Sequence, residues 1–151
     1  MPRVLLIGYG NTLCGDDALG PVAIERLSKM VADAEFIACH QLSPELAERV
    51  AICDLAVFVD ATCQGEPGTV RVEQLVPVAV VGSAIFTHYV NPSTVLELAK
   101  TLYGRAPQAM LVTGAGAKFH NSEGLSEKGR EALDEICRIV PQLVRDFVLT
   151  T

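Results

Sequence analysis

Residues 3–20, RVLLIGYGNTLCGDDALG, constrain the fold more than any other stretch of the chain. Val4, Leu5, Leu6 and Ile7 form an unbroken apolar run, the pattern of a strand buried on both faces. Gly8 and Gly10 punctuate its end, and Gly15-Asp16-Asp17 sets two carboxylates in the loop that follows. Gly20-Pro21 then predicts a helix start with proline in the first turn. Strand, glycine-rich loop and helix form the unit by which open α/β sheets place ligands at the carboxyl ends of their strands. Such a loop is usually built for phosphate. This one carries two acids.

The rest of the chain continues the alternation. Val22, Ala23, Ile24, Leu27 and Met30-Val31 have helical spacing, and Ala34 to Cys39 reads as a second strand. Ser43-Pro44-Glu45 predicts a helix over 44–52, with Ser43 as cap and Pro44 in the first turn. Asp54 to Asp60 is a third strand ending on an acid, and Thr69 to Leu75 alternates like a half-exposed one. Residues 77–83 read as irregular, leading to Phe86-Thr87-His88. Asn91-Pro92-Ser93 starts a helix that stops near Gly104, and Ala109 to Thr113 is a further strand. A final helix spans Ser126 to Val148, with Ser126 as cap and Pro141 expected to kink or divide it. This pattern predicts one α/β domain over residues 1–151: three layers, a mostly parallel twisted sheet with helices on both faces.

Several classes are disfavoured. A net charge of −6 argues against general nucleic-acid binding. The apolar runs are strand-length, short of the roughly 20 residues of a membrane span. Met1-Pro2-Arg3 leads directly into the first strand, without a signal-peptide pattern. Cys14, Cys39, Cys53, Cys63 and Cys137 are odd in number and lack C-x-x-C spacing, which reads as reduced thiols in a cytoplasmic protein.

Gly8 and Gly10 match the first two glycines of a dinucleotide fingerprint, but Leu13 stands where a small third residue is wanted. Asp16 and Asp17 would also repel a pyrophosphate. The acids suggest another use. A residue in the loop after the first strand, Asp60 at the end of the third, and His88 can converge on one sheet edge. Two carboxylates and an imidazole suit a divalent metal with coordination positions left open. On spacing alone, Asp60 can equally cap a turn, Asp16 or Asp17 the first helix, and His88 can be a core histidine. The D-T/S-G signature of an aspartic protease dyad is absent. Cys14 lies beside two carboxylates, which disfavour its thiolate. Cys39, Cys53 and Cys137 lie in apolar runs, and Cys63 sits in a turn. His40 can line the same edge, and His120 reads as solvent-facing.

The segments IGYGNTLCGDDALG, CHQLSPELAE, VFVDA and Thr87-His88 occur in order, with Gly124-Leu125-Ser126 before the last helix. Together they resemble the nickel–iron hydrogenase maturation endopeptidases across nearly the whole chain. HQLSPELAE is similar to the branch serving bidirectional NAD-linked hydrogenases. The resemblance implies a twisted sheet between helices and a hydrolase that clips a C-terminal peptide from the hydrogenase large-subunit precursor after nickel insertion. The family's three metal contacts fall on Asp17, Asp60 and His88, and these are also the implied catalytic residues. The cofactor implied is nickel supplied by the substrate, with no permanent cofactor. The implied partner is the nickel-loaded precursor, with no nucleic acid and no membrane. Departures are Ala18 where the family has glycine, which resists φ > 0, Tyr89 where a second His is frequent, and Asn91-Pro92 in place of Ser-Pro. They leave room for a non-catalytic nickel- or partner-binding module on the same fold. A nucleotide-binding oxidoreductase is the third reading.

Overall fold

The computed structural model describes residues 1–78, 90–120 and 124–151. In chain order the elements are β1 (Val4–Tyr9), a 3-10 turn (Gly15–Ala18), α1 (Leu19–Leu27), β2 (Ala34–Cys39) and α2 (Leu46–Ala51). They continue as β3 (Leu55–Thr62), β4 (Val70–Leu75), α3 (Pro92–Tyr103), β5 (Gln108–Ala115) and α4 (Glu127–Thr150). The strands form one five-stranded sheet ordered β2-β1-β3-β5-β4. All pairs are parallel except β4–β5 at one edge. The fold is the α/β class that the sequence predicts.

The apolar strands work as two-sided elements because successive side chains point to opposite faces. Val4 and Leu6 of β1, with Leu55, Val57 and Val59 of β3, pack under α1 and α4. Leu5 and Ile7, with Ala56 and Phe58, pack on the other face under α2 and α3. Full burial of each larger side chain, such as Phe58 at 0% exposure, contributes about 1.5–3 kcal/mol. Edge strand β4 leaves Arg71 and Glu73 exposed, and such charges deter pairing with another chain.

Helix α3 follows its sequence signals. The Asn91 side chain accepts from the Thr94 N–H at 2.9 Å, and Pro92 opens the helix. Gly104 closes it at φ 81°. Asn91→Ala is expected to lower stability by about 1 kcal/mol, read as a shift in urea midpoint without a change in slope.

The first helix carries Pro21 in its first turn, as the sequence predicts, and the chain enters it at Leu19 through the 3-10 turn. Gly20 allows this: a Cβ there would lie 2.5 Å from the Tyr9 carbonyl oxygen and 2.6 Å from that of Val59. Two expectations need correction. Helix α2 begins at Leu46 without a side-chain cap, and residues 43–45 form a turn in which the Ser43 carbonyl accepts from the Leu46 N–H. Helix α4 runs unbroken through Pro141, with Ser126 accepting from the Gly129 N–H. Buried Ile136, Cys137 and Val140 before the proline and Val144 after it hold both halves on the sheet. Residues 79–83 of the expected irregular segment, and Phe86, Thr87, His88 and Tyr89, lie outside the described residues.

Candidate functional site

From β1 the chain runs to β2 on one side and then to β3 on the other. The strand order therefore reverses between β1 and β3, where open α/β sheets leave a crevice at the carboxyl ends of their strands. The β1–β3 ladder ends at Gly8–Val59. Beyond it β1 stays with β2 through Tyr9–Cys39, and β3 stays with β5 through Thr62–Ala115. Asp60 is thus not the end of its strand, as the pattern predicts, but the point where β3 outruns β1. The two strands part at Tyr9 and Asp60.

The loop after β1 brings Asp17 to this opening. Gly10, at φ 151°, lies so close to the Asp17 backbone that a Cβ would sit 2.0 Å from the Asp17 carbonyl oxygen. Only glycine fits there. The Asn11 N–H donates to Asp17 Oδ2 at 2.7 Å, and the half-buried carboxylate lies over the loop. Ala18 has φ −73° and ψ −6°, ordinary helical values, so the absence of glycine imposes no strain.

Asp60 is half-buried, and its Oδ1 accepts from the Ala61 N–H at 2.8 Å. Burial pushes its carboxyl up to about 6. Hydrogen bonds from Ala61 and the Tyr9 phenol oppose that shift, and the negative charge of Asp17 adds to it. Asp60 thus feels the negative charge of Asp17 across the opening. A cation between them would relieve both the repulsion and the lost solvation. Tyr9 escaped the sequence reading, because its partner is identified only once the register brings Gly8 opposite Val59.

Asp16 does something different. It is fully buried, and Oδ2 accepts from the Ala117 N–H at 2.7 Å, the Lys118 N–H at 3.0 Å and the Ser126 hydroxyl at 2.6 Å. Oδ1 accepts from the Ser126 N–H at 2.8 Å, and the Asp16 N–H donates to the Lys118 carbonyl at 2.7 Å. The carboxylate sits at the amino end of α4, where unpaired N–H groups favour negative charge. Gly129 leaves room for it: a Cβ there would lie 2.1 Å from Asp16 Oδ1. Neither acid caps α1, whose start has no side-chain cap.

Other candidates separate clearly. His40 is exposed after β2, in an open cleft of about 230 Å³ lined with Gly10, Thr12, Pro21, Ala38 and Cys39. Leu13 is 74% exposed, so it does not take the packing role of a third fingerprint glycine. Gly20 supplies close helix–strand contact instead: a Cβ on Gly8 would lie 2.2 Å from its carbonyl oxygen. All five cysteines are free. Burial raises the thiols of Cys39 and Cys137 and pushes that of Cys53 up to about 12, away from reactivity. His120 is exposed. Among the described residues no group of three or more His, Cys, Asp or Glu side chains is placed to hold a metal ion, and no helix is long and apolar enough to cross a membrane.

No protein-family model matches the sequence, and neither does any curated protein. Solved structures do match. The NiFe hydrogenase maturation protease HycI from Thermococcus kodakarensis has TM-score 0.74 and 26% identity, over 95% of this chain and 93% of that one. The hydrogenase maturating endopeptidase HybD from E. coli has TM-score 0.75 and 23% identity, with the same coverage of each chain. The NiFe hydrogenase maturation protease HybD from Thermococcus kodakarensis has TM-score 0.73 and 20% identity, over 93% of this chain and 98% of that one. These structural neighbours are hydrogenase maturation proteases, and the chain has their fold along nearly its whole length.

Proposed function

We propose that the chain is an endopeptidase that removes a C-terminal peptide from the precursor of a nickel–iron hydrogenase large subunit. The observation that carries this reading is the pairing of Asp17 and Asp60 at the β1/β3 opening, on a fold shared with maturation proteases over 95% of the chain. The nickel already seated in the precursor is part of the substrate. Asp17 and Asp60 meet it as hard anionic ligands, and His88 is the third contact that the family resemblance assigns. The branch serving NAD-linked hydrogenases and a cytoplasmic setting belong to the same proposal.

The chemistry follows from charge. An ionised Asp60 beside Asp17 is poorly solvated, so it gains more from a cation than a surface carboxylate does. A site that needs the substrate's ion to relieve its own repulsion discriminates loaded from empty precursor. Once docked, nickel polarises the scissile carbonyl or activates water, or a carboxylate takes the proton of the attacking water. The value of about 6 at Asp60 suits such a base near neutral pH.

The test is incubation with nickel-loaded and nickel-free precursor, followed by intact-mass measurement. Loaded precursor should lose its C-terminal peptide and nickel-free precursor should stay whole. Equal cleavage of both would refute metal reading, and tight binding of loaded precursor without cleavage would mark a binding module instead.

A further inference from the structure

We propose that Asp16 is the positioning residue for Asp17: its buried bonds to the 116–118 loop and to Ser126 set the direction in which the turn presents the Asp17 carboxylate. The inference rests on the reading of Asp17 as a contact to the substrate's metal. Both acids lie in one four-residue 3-10 turn, Gly15–Ala18. With about three residues per turn, neighbouring side chains diverge by roughly 120°. Fixing one therefore fixes the other.

Asp16 is fixed from every side. Its two oxygens take four donors, and its own N–H is held by the Lys118 carbonyl. Gly116 and Gly129 close on it, with distances from a would-be Cβ of 2.5 Å to Asp16 Cβ and 2.1 Å to Oδ1. Asp17, in contrast, has one donor at its carboxylate among the described residues, the Asn11 N–H at 2.7 Å. That bond leaves acceptor capacity for a ligand but is too little to define an orientation alone. The stiffness comes from the neighbour.

The experiment uses the full chain with Asp16→Asn, which keeps the shape but replaces one acceptor by a donor facing N–H groups. In the variant that retains a cooperative melt, the Asn11 amide should lose at least tenfold in hydrogen-exchange protection, while the Leu6 and Ile7 amides of β1 keep theirs. Processing of nickel-loaded precursor should lose at least tenfold in kcat/KM, since Asp17 is read as a contact to the substrate's metal. An unchanged Asn11 amide in the folded variant overturns the proposal, as does a uniform loss of protection across β1 and the loop. Where Asp16→Asn does not fold, Ser126→Ala decides. It removes one donor and should lower Asn11 protection and kcat/KM two- to fivefold, with rescue by Ser126→Thr. An unchanged Asn11 amide in folded Ser126→Ala also overturns it. If the wild type leaves precursor uncut but Asn11 responds as stated, the positioning role stands and the processing reading falls.

Discussion

Asp60→Asn is expected to abolish processing and stabilise the free protein at the same time. Loss of the anionic ligand or base should lower the rate by about 10²–10⁴, measured on nickel-loaded precursor. Stability moves the other way because burial holds the native carboxyl at about 6, against 3.8 for the unreacted side chain. Between those values the native state binds more protons than the unfolded state, so this group's contribution to stability falls as pH rises from about 4 to about 6. Above that window the native protein carries an ill-solvated anion. Asparagine keeps an acceptor for Ala61 and Tyr9 without the charge. The gain near pH 7.5 should be about 1–3 kcal/mol, seen as a higher urea midpoint that vanishes near pH 4. An equal or lower midpoint at pH 7.5 would show that the acid is well solvated in the opening.

Asp16→Ala has the larger structural effect. It strips the acceptor from the Ala117, Lys118 and Ser126 N–H groups and the Ser126 hydroxyl at once. Breaking a buried, hydrogen-bonded charge typically costs about 3–5 kcal/mol, a large part of the 5–15 kcal/mol that holds a typical domain folded. The variant should unfold at much lower denaturant or fail to accumulate. pH dependence supplies an independent check. Burial acts to raise the Asp16 carboxyl, but the Ser126 hydroxyl and the Lys118, Ala117 and Ser126 N–H groups outweigh it and hold it below the usual range. Its contribution is therefore complete above 3.8 and is lost as pH falls below that value. Asp16 and Asp60, acting in opposite senses, place their joint stability maximum near pH 4.

The sheet and its layers were legible because each strand carries its signal locally. Val4 to Ile7 and Leu55 to Val59 are apolar on both faces, and β4 alternates. An acid of the loop after β1 and Asp60 could be placed near each other from the sequence, because the carboxyl ends of neighbouring parallel strands meet, and the family resemblance then singled out Asp17. The partners that hold Asp16 were not legible. Adjacent acids look alike in sequence, and their surroundings separate only when a four-residue 3-10 turn points one inward and the other toward Asn11. The donors that claim Asp16 lie 101 to 110 residues away, beyond any local pattern. Gly20 was read as a helix punctuator, yet its reason is the close passage of β1 and β3 backbone. Pro141 does not divide α4, because residues on both sides of it pack on the sheet.

The bonds from Asp16 to Ala117, Lys118 and Ser126 also have a consequence in time. A ribosome makes Asp16 long before its donors, and closing so wide a loop is entropically slow. While the first β-α unit is emerging, Asp16 is a solvated acid and the turn has nothing to stiffen it. Asp17 acquires its aim only when the start of α4 has been synthesised and has docked. A nascent chain, or one cut before Ser126, would hold both carboxylates without the bonds that anchor their turn.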